Sequence, residues 1–199
     1  MINDSPYLVG ASIFYSFRGS STNYYFPLDF TVGGAVASFG RRLEWPDDFF
    51  RVMWSAKFMQ KEYEGSQSDI DNYIGGLQKT RGISLSQVLS RDSRNRAEFP
   101  TNGSTFILEN TYSGGFLGGN ENFQKHMLTL DWFTPTFSKF VLYNSVKLGV
   151  IKTIDVGDDV QSFVPFDERF IMGGNGIPYG NALRGCLLYT SPSPRDSSP

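Results

Sequence analysis

The sequence predicts an all-β protein from three observations. Apolar and polar residues alternate over long stretches, aromatic residues are abundant, and no helical periodicity of comparable length occurs. The 199 residues are 40% hydrophobic and only 19% charged, with 18 Phe and 10 Tyr. Low charge combined with many aromatic residues argues against disorder. A net charge of −2 provides no basic field for nucleic acid.

Alternation with a period of two predicts seven strands. They lie near Tyr7–Phe17, Leu28–Phe39, Phe50–Tyr63, Gly82–Arg91, Ser104–Tyr112, Phe123–Phe133 and Phe137–Val150. In four of them the two faces separate clearly. One face is apolar: Val52, Trp54, Ala56 and Phe58; Ile83, Leu85 and Leu89; Leu128, Leu130 and Trp132; Phe140, Leu142, Val146, Leu148 and Val150. The other face is charged or hydroxylated: Arg51, Ser55, Lys57 and Lys61; Ser84, Ser86 and Ser90; Lys125, Thr129 and Asp131; Lys139, Tyr143, Ser145 and Lys147.

Alternation alone fits both a soluble barrel with an apolar interior and a membrane barrel with an apolar exterior. Strand length favours the membrane barrel. Several runs have about 10 to 14 residues, and a tilted strand needs about 9–11 residues to cross a bilayer. No apolar run approaches the roughly 18 residues of a spanning helix. We therefore predict that Leu128, Leu130, Trp132, Leu142, Val146 and Leu148 face lipid, and that Lys125, Thr129, Lys139 and Lys147 face the lumen.

The connections add a second asymmetry. We interpret Thr134–Thr136 as a tight turn, and Arg41–Asp48 and Asp92–Gly103 as moderate connections on the same side. The opposite side carries 18–27, 64–81 and the stretch after Ile151. Short turns on one side and longer loops on the other are typical of outer-membrane barrels.

Residues that could carry catalysis or bind a metal are few. His126 is the only histidine, so no His cluster can bind a metal, and Cys186 is the only cysteine. The Asp47–Asp48 and Asp158–Asp159 pairs are interpreted as solvated turn residues. Glycines at 173, 174 and 176 lack the helix and the lysine of a phosphate cradle. The sequence therefore predicts no catalytic residue, no metal and no cofactor.

Three motifs point to one family. The first is Gly40–Asp48, a Gly-Arg-Arg-Leu-Glu-Trp-Pro-Asp-Asp string, and the second runs from Ser90-Arg91-Asp92 to Phe99-Pro100-Thr101-Asn102-Gly103-Ser104. The third is Phe166–Gly176 followed by Asn181-Ala182-Leu183-Arg184-Gly185. Together they resemble the BamA-type outer-membrane assembly barrels of the bacterial surface antigen family, in the form found in Bacteroidota-like bacteria.

The resemblance implies a role for each motif. The turn motifs comprise Gly40, Arg41, Arg42, Trp45, Pro46, Asp47, Asp92, Phe99, Pro100 and Gly103. The loop-six motif comprises Phe170, Gly173, Gly174, Gly176, Leu183, Arg184 and Gly185. In the family this sixth extracellular loop folds back into a sixteen-stranded barrel, and the arginine at its tip lies against the inner wall. The seven strands would then be the fifth to eleventh, with the tight turns in the periplasm and the usual partner of Arg184 on a later strand.

The function that the resemblance implies is non-enzymatic: folding and insertion of β-barrel proteins into the bacterial outer membrane. The implied partners are outer-membrane lipid, nascent β-barrel proteins and accessory assembly lipoproteins. Transport remains an alternative, as a two-partner secretion translocator or a passive porin, and a soluble lipid-binding barrel is a third. Upstream POTRA repeats would discriminate, since about five favour assembly, two favour secretion and none favours a porin.

The sequence also leads to an expectation about each end of the chain. Residues Met1–Asp4 lack the basic start and the apolar core of a signal peptide, so the chain is expected to begin inside a longer gene. POTRA repeats, the first strands and the last five strands would lie elsewhere in that gene. After Gly185 the family has an aromatic residue where this chain has Cys186, and Leu187–Asp196 resembles a translated sequencing adapter. Residues 1–185 are thus predicted to be a partial barrel and 186–199 an artefact, the alternative being a disordered Ser/Pro-rich tail.

Overall fold

The strands predicted from alternation form one antiparallel sheet, and the all-β fold class is confirmed. The structure is a computed structural model that describes residues 7–19, 28–156, 164–165, 168–172 and 180–181. The chain divides into two units, Met1–Phe163 and Val164–Pro199. The large sheet belongs to the first unit.

The seven strands pair in chain order, each with the next. They are β1 (Tyr7–Arg18), β2 (Asp29–Arg42), β3 (Phe50–Glu64), β4 (Lys79–Asp92), β5 (Gly103–Ser113), β6 (Phe123–Pro135) and β7 (Val141–Thr153). The second unit contains two short parallel strands, β8 (Ile171–Met172) and β9 (Gly180–Asn181). Within the described residues the large sheet is not closed, because β1 pairs with β2 alone and β7 with β6 alone.

The register assigns the side chains to two faces. Leu130 lies opposite Phe106 on one side and Val146 on the other, so the three share a face. Thr129 lies opposite Ile107 and Lys147 on the other face. Since residues directly opposite in an antiparallel pair project to the same side, the alternation predicted from sequence extends across the sheet. We call these the apolar face and the polar face.

The connections define two ends of the sheet. The turn end holds the connections between β2 and β3, β4 and β5, and β6 and β7. The loop end holds the other three internal connections, including helix α1 (Gln67–Ile74) and a short 3-10 helix at Gly115–Leu117. Most of the buried apolar residues lie towards the loop end: Leu28, Met59, Tyr63, Ile70, Ile74 and Phe123.

Helix α1 was not predicted from the sequence, which placed 64–81 in a loop. Its boundaries are set by local chemistry. The Ser66 side chain accepts a hydrogen bond from the Asp69 backbone N–H at the N-terminus, and Gly75 adopts the left-handed conformation at the C-terminus. Among the described residues no helix is long and apolar enough to cross a membrane.

Several strand boundaries also differ from the sequence prediction. Strand β4 begins at Lys79 rather than Gly82, and β6 continues through Pro135. Strand β7 begins at Val141, so Lys139 and Phe140 lie in the turn. The turn closes through hydrogen bonds from the backbone and the hydroxyl of Thr136 to the Phe140 carbonyl, both 2.9 Å long. The prediction that Lys139 faces the lumen from a strand is therefore wrong.

Candidate functional site

The apolar face extends across the whole sheet. Large hydrophobic side chains on it are exposed from β1 to β7, including Ile13 at 89%, Val9 at 76% and Leu148 at 60%. Its other exposed members include Tyr15, Phe17, Phe39, Trp54, Phe58, Leu85, Trp132, Leu142, Val146 and Val150. Soluble monomers rarely expose apolar patches larger than a few hundred Å². A contact with lipid removes this surface from water.

The strands are long enough for that contact. Strands β2, β3 and β4 have 14, 15 and 14 residues, whereas a tilted strand crosses the hydrocarbon core with about 9–11 residues. Their ends therefore extend beyond the hydrocarbon. On the apolar face aromatic rings stack near the turn end, with Phe39 5.9 Å from both Tyr7 and Trp54.

The first turn motif joins β2 to β3. Gly40, Arg41 and Arg42 are the last residues inside β2, whereas Trp45 and Pro46 lie in the turn itself. The Arg42 side chain donates a 2.8 Å hydrogen bond to the Asp48 carbonyl. The Trp45 ring is 83% exposed, beyond the strand end where interfacial aromatic residues of membrane barrels lie.

Asp47 joins this turn to the next. One carboxylate oxygen accepts a 3.0 Å bond from the Phe49 backbone N–H, and the other accepts a 2.8 Å bond from Arg91 Nε. Both Asp47 and Arg91 are about one-third exposed. The sequence interpretation of Asp47 as a merely solvated carboxylate is therefore wrong, whereas Asp158 and Asp159 lie outside the described residues.

Arg91 connects two turns of the sheet, a role that sequence reasoning missed. Besides Asp47, its guanidinium donates to Ser93 Oγ at 3.0 Å and Ser104 Oγ at 3.4 Å in the second turn. It also lies 5.5 Å from the Phe49 ring centroid and 5.8 Å from that of Phe50. The sequence offered one signal for this role, because Arg91 directly precedes Asp92 in the second motif.

The second turn motif is held by its own polar side chains. Arg94 donates to both carboxylate oxygens of Asp92, at 2.9 and 2.7 Å. These hydrogen bonds raise the pKa of Arg94. The Asn95 side-chain oxygen accepts from the backbone N–H groups of Thr101 and Asn102, at 3.1 and 3.2 Å.

Two residues of the second motif have positive φ. Phe99 has φ 52° and its ring is 88% exposed. Gly103 has φ 108°, and a Cβ there would collide with the carbonyl oxygen of Ser93. Only glycine fits at this position. Pro100 lies between the two in the same turn.

Comparison with known proteins identifies the family. Residues 2–187 match the model described as the Omp85 superfamily domain. The chain belongs to the Omp85 superfamily. It is also similar to the outer membrane protein assembly factor BamA of Nitratidesulfovibrio vulgaris, with 31% identity over 111 residues. That match covers 53% of this chain and 13% of the BamA protein, so the chain spans only a small part of its relative's length.

The family match confirms the resemblance deduced from the motifs. This Omp85 chain is part of a BamA-type β-barrel of the bacterial outer membrane. The turn motifs lie together at one end of its sheet. Of the loop-six motif, Phe170 precedes β8, whereas Gly173, Gly174, Gly176, Leu183, Arg184 and Gly185 lie outside the described residues.

His126 lies in β6, as predicted, and its Nδ1 is 2.8 Å from Asn110 Oδ1 across the β5–β6 pair. Within the described part of this Omp85 chain, no three His, Cys, Asp or Glu residues are grouped as metal ligands.

A buried polar cluster at the loop end was not anticipated from the sequence. Lys61 Nζ lies 3.3 Å from Glu121 Oε1, and both side chains are only 2% exposed. Thr80 donates a 2.8 Å hydrogen bond to the same carboxylate oxygen. The sequence assigned Lys61 to the polar face, but its acidic partner comes from a loop distant in the chain.

Proposed function

We propose that this chain is part of an assembly factor that folds β-barrel proteins and inserts them into the bacterial outer membrane. The observation that carries the proposal is the 31% identity over 111 residues to a protein named as an outer membrane protein assembly factor. The match to the Omp85 superfamily domain over residues 2–187 supports it.

The sheet supports a role as a membrane-embedded wall. Its apolar face presents exposed Leu, Val and aromatic side chains to lipid, and its polar face carries Ser, Thr and Lys side chains towards a wet lumen. At the turn end the polar face has an open groove of about 590 Å³, to which Leu8, Arg42, Arg51 and Met53 contribute. The function that we propose for this wall is non-enzymatic.

The driving force in the proposed mechanism comes from the substrate itself. A β-barrel protein that inserts removes its exposed strand edges and buries its apolar surface in lipid, so no nucleotide is needed. The incoming strand pairs by β-augmentation with an open edge of the assembly barrel. By the family numbering these seven strands are the fifth to eleventh of the barrel. Other strands therefore form the open edge, and these seven strands form the wall opposite it. Outer-membrane lipid, nascent barrel proteins and accessory lipoproteins are the proposed partners.

The proposal is tested by reconstitution. A full-length barrel protein carrying this sequence is placed in liposomes, an unfolded outer-membrane protein is added, and folding is followed by the heat-dependent shift of the folded barrel in electrophoresis. We expect the folding rate to rise well above that of empty liposomes.

Transport is the competing outcome. If the reconstituted protein leaves the folding rate unchanged but passes a secreted polypeptide or small solutes across the liposome, the assembly role is wrong and the translocator or porin alternative replaces it. Both arms use the same liposomes, so the amount of inserted protein is held constant.

A further inference from the structure

The Lys61–Glu121 ion pair stands apart from the other ion pairs of the described residues because water barely reaches it. Lys61 is in β3 and lies opposite Thr80 of β4, so both project from the polar face. Glu121 comes from the connection between β5 and β6 and reaches both of them. Burying two charges is unfavourable unless pairing and hydrogen bonds compensate for the lost hydration. Such a pair is expected where it fixes one arrangement of the chain.

The connection that carries Glu121 continues the sheet. Paired residues of β4 and β5 end at Ser84 and Ser113. Beyond that point the connection pairs with the remainder of β4: Gly114 N donates to the Ile83 carbonyl at 2.9 Å and Asn120 N to the Arg81 carbonyl at 3.0 Å. The Arg81 N–H in turn donates to Asn120 Oδ1 at 2.7 Å. The connection therefore covers the edge of β4 that β5 leaves open.

Two glycines make room for this arrangement. A Cβ at Gly82 would lie 2.5 Å from Glu121 Oε2 and 3.1 Å from Glu121 Cδ. A Cβ at Gly119, where φ is +99°, would collide with the Arg81 carbonyl oxygen. The chain thus has no side chain at the two positions where one would force the loop away from β4.

The polar face differs at its two ends. At the loop end it is covered, with Ser84, Phe123 and Lys125 buried alongside the ion pair. At the turn end it is open, where Met53 is 40% exposed. These buried residues lie at the same end of the polar face as the Lys61–Glu121 ion pair.

We propose that Lys61 and Glu121 form a latch that holds residues 114–122 closed over the loop end of the polar face. The segment then acts as a lid on the barrel lumen, and breaking the ion pair opens it. The proposal requires the barrel but not a particular cargo, so it stands or falls independently of the assembly role.

The experiment compares Glu121→Gln with Glu62→Gln in the full-length barrel protein carrying this sequence. Glu62 pairs with Lys79 at 2.7 Å and neighbours Lys61 in β3. Because the Glu62–Lys79 pair lies on the other face and is largely exposed, Glu62→Gln is a matched control. Hydrogen exchange of residues 114–120 is measured in detergent micelles, and ion conductance is measured in planar bilayers. We expect Glu121→Gln to accelerate exchange about tenfold or more, because removing one charge of a buried ion pair destabilises the closed state, and to raise conductance. Glu62→Gln should change neither.

A second pair of variants keeps both charges in place. Gly82→Ala puts a methyl group against the Glu121 carboxylate, whereas Gly33→Ala, in β2, makes only an ordinary 3.5 Å contact with Tyr15 Cδ2. Gly82→Ala should accelerate hydrogen exchange and Gly33→Ala should not. If the Glu121→Gln barrel does not assemble, this second comparison is the test of the latch. If hydrogen exchange is equally fast in a test variant and in its control variant, the latch is overturned. Faster exchange without a rise in conductance overturns the lid.

Discussion

At the scale of single residues, Asp47 is the carboxylate that joins the first turn to Arg91. Asp47→Asn keeps the shape of the side chain but removes the charge that Arg91 meets at 2.8 Å. Since hydrogen bonds to charged groups contribute about 1.5–3 kcal/mol and exposed ion pairs about 0–1 kcal/mol, we expect a loss of about 1 kcal/mol for this partly exposed pair. Urea titration of the full-length barrel in lipid measures the free energy of unfolding.

The neighbouring Asp48 provides the control for that measurement. Its backbone carbonyl accepts from Arg42, but no described residue bonds its carboxylate. Asp48→Asn should therefore leave the free energy of unfolding within about 0.5 kcal/mol of the original. If the two variants are equally destabilised, the connection through Arg91 does not stabilise the turns.

Arg184 is the residue for which the family predicts a buried partner. Arg184→Ala should lower barrel stability and assembly activity, because loss of one member of a buried ion pair costs about 3–5 kcal/mol. Arg169 is the comparison, since its Nε donates a 3.0 Å bond to the nearby Val164 carbonyl and the residue is exposed. Heat resistance of the folded barrel in electrophoresis is the readout. An Arg169→Ala variant that loses as much as Arg184→Ala would contradict a lumenal anchor at 184.

At the scale of strands, the face assignment is tested by adjacent residues of β6. Leu130 lies between Phe106 and Val146 on the apolar face, and Thr129 lies between Ile107 and Lys147 on the polar face. An arginine facing lipid at mid-bilayer costs about 2–4 kcal/mol. Leu130→Arg should therefore reduce the amount of barrel assembled in the outer membrane much more than Thr129→Arg. Equal tolerance or the reverse order would count against the membrane assignment.

Strands were predictable from the sequence because their signal is local. A period of two over ten or more residues identifies a strand and its faces without knowledge of its neighbours. Helix α1 was missed because it is short, with Ile70 and Ile74 as its buried apolar residues. Its two boundary signals, Ser66 three residues before Asp69 and Gly75 after the last turn, were nevertheless present in the sequence.

The buried cluster was not predictable for a different reason. Lys61, Thr80 and Glu121 are far apart in the chain, and they meet only because the β5–β6 connection folds back along β4. Local periodicity contains no information about that path. The turn motifs were predictable in part. Their residues were identified by resemblance, whereas the bond from Arg91 to Asp47 between two turns appears only in the folded sheet.

At the scale of the whole molecule, the sheet predicts how residues 1–185 behave in isolation. Within the described residues β1 and β7 each have one unpaired edge, and the apolar face exposes side chains such as Ile13 and Leu148. Unpaired edges and large apolar patches in water promote association. Without detergent, residues 1–185 should therefore sediment as aggregates. Detergent micelles should shift the protein towards smaller species by covering the apolar face. Analytical ultracentrifugation with and without detergent measures both, and a soluble monomer that unfolds cooperatively in plain buffer would contradict the proposal that the apolar face contacts lipid.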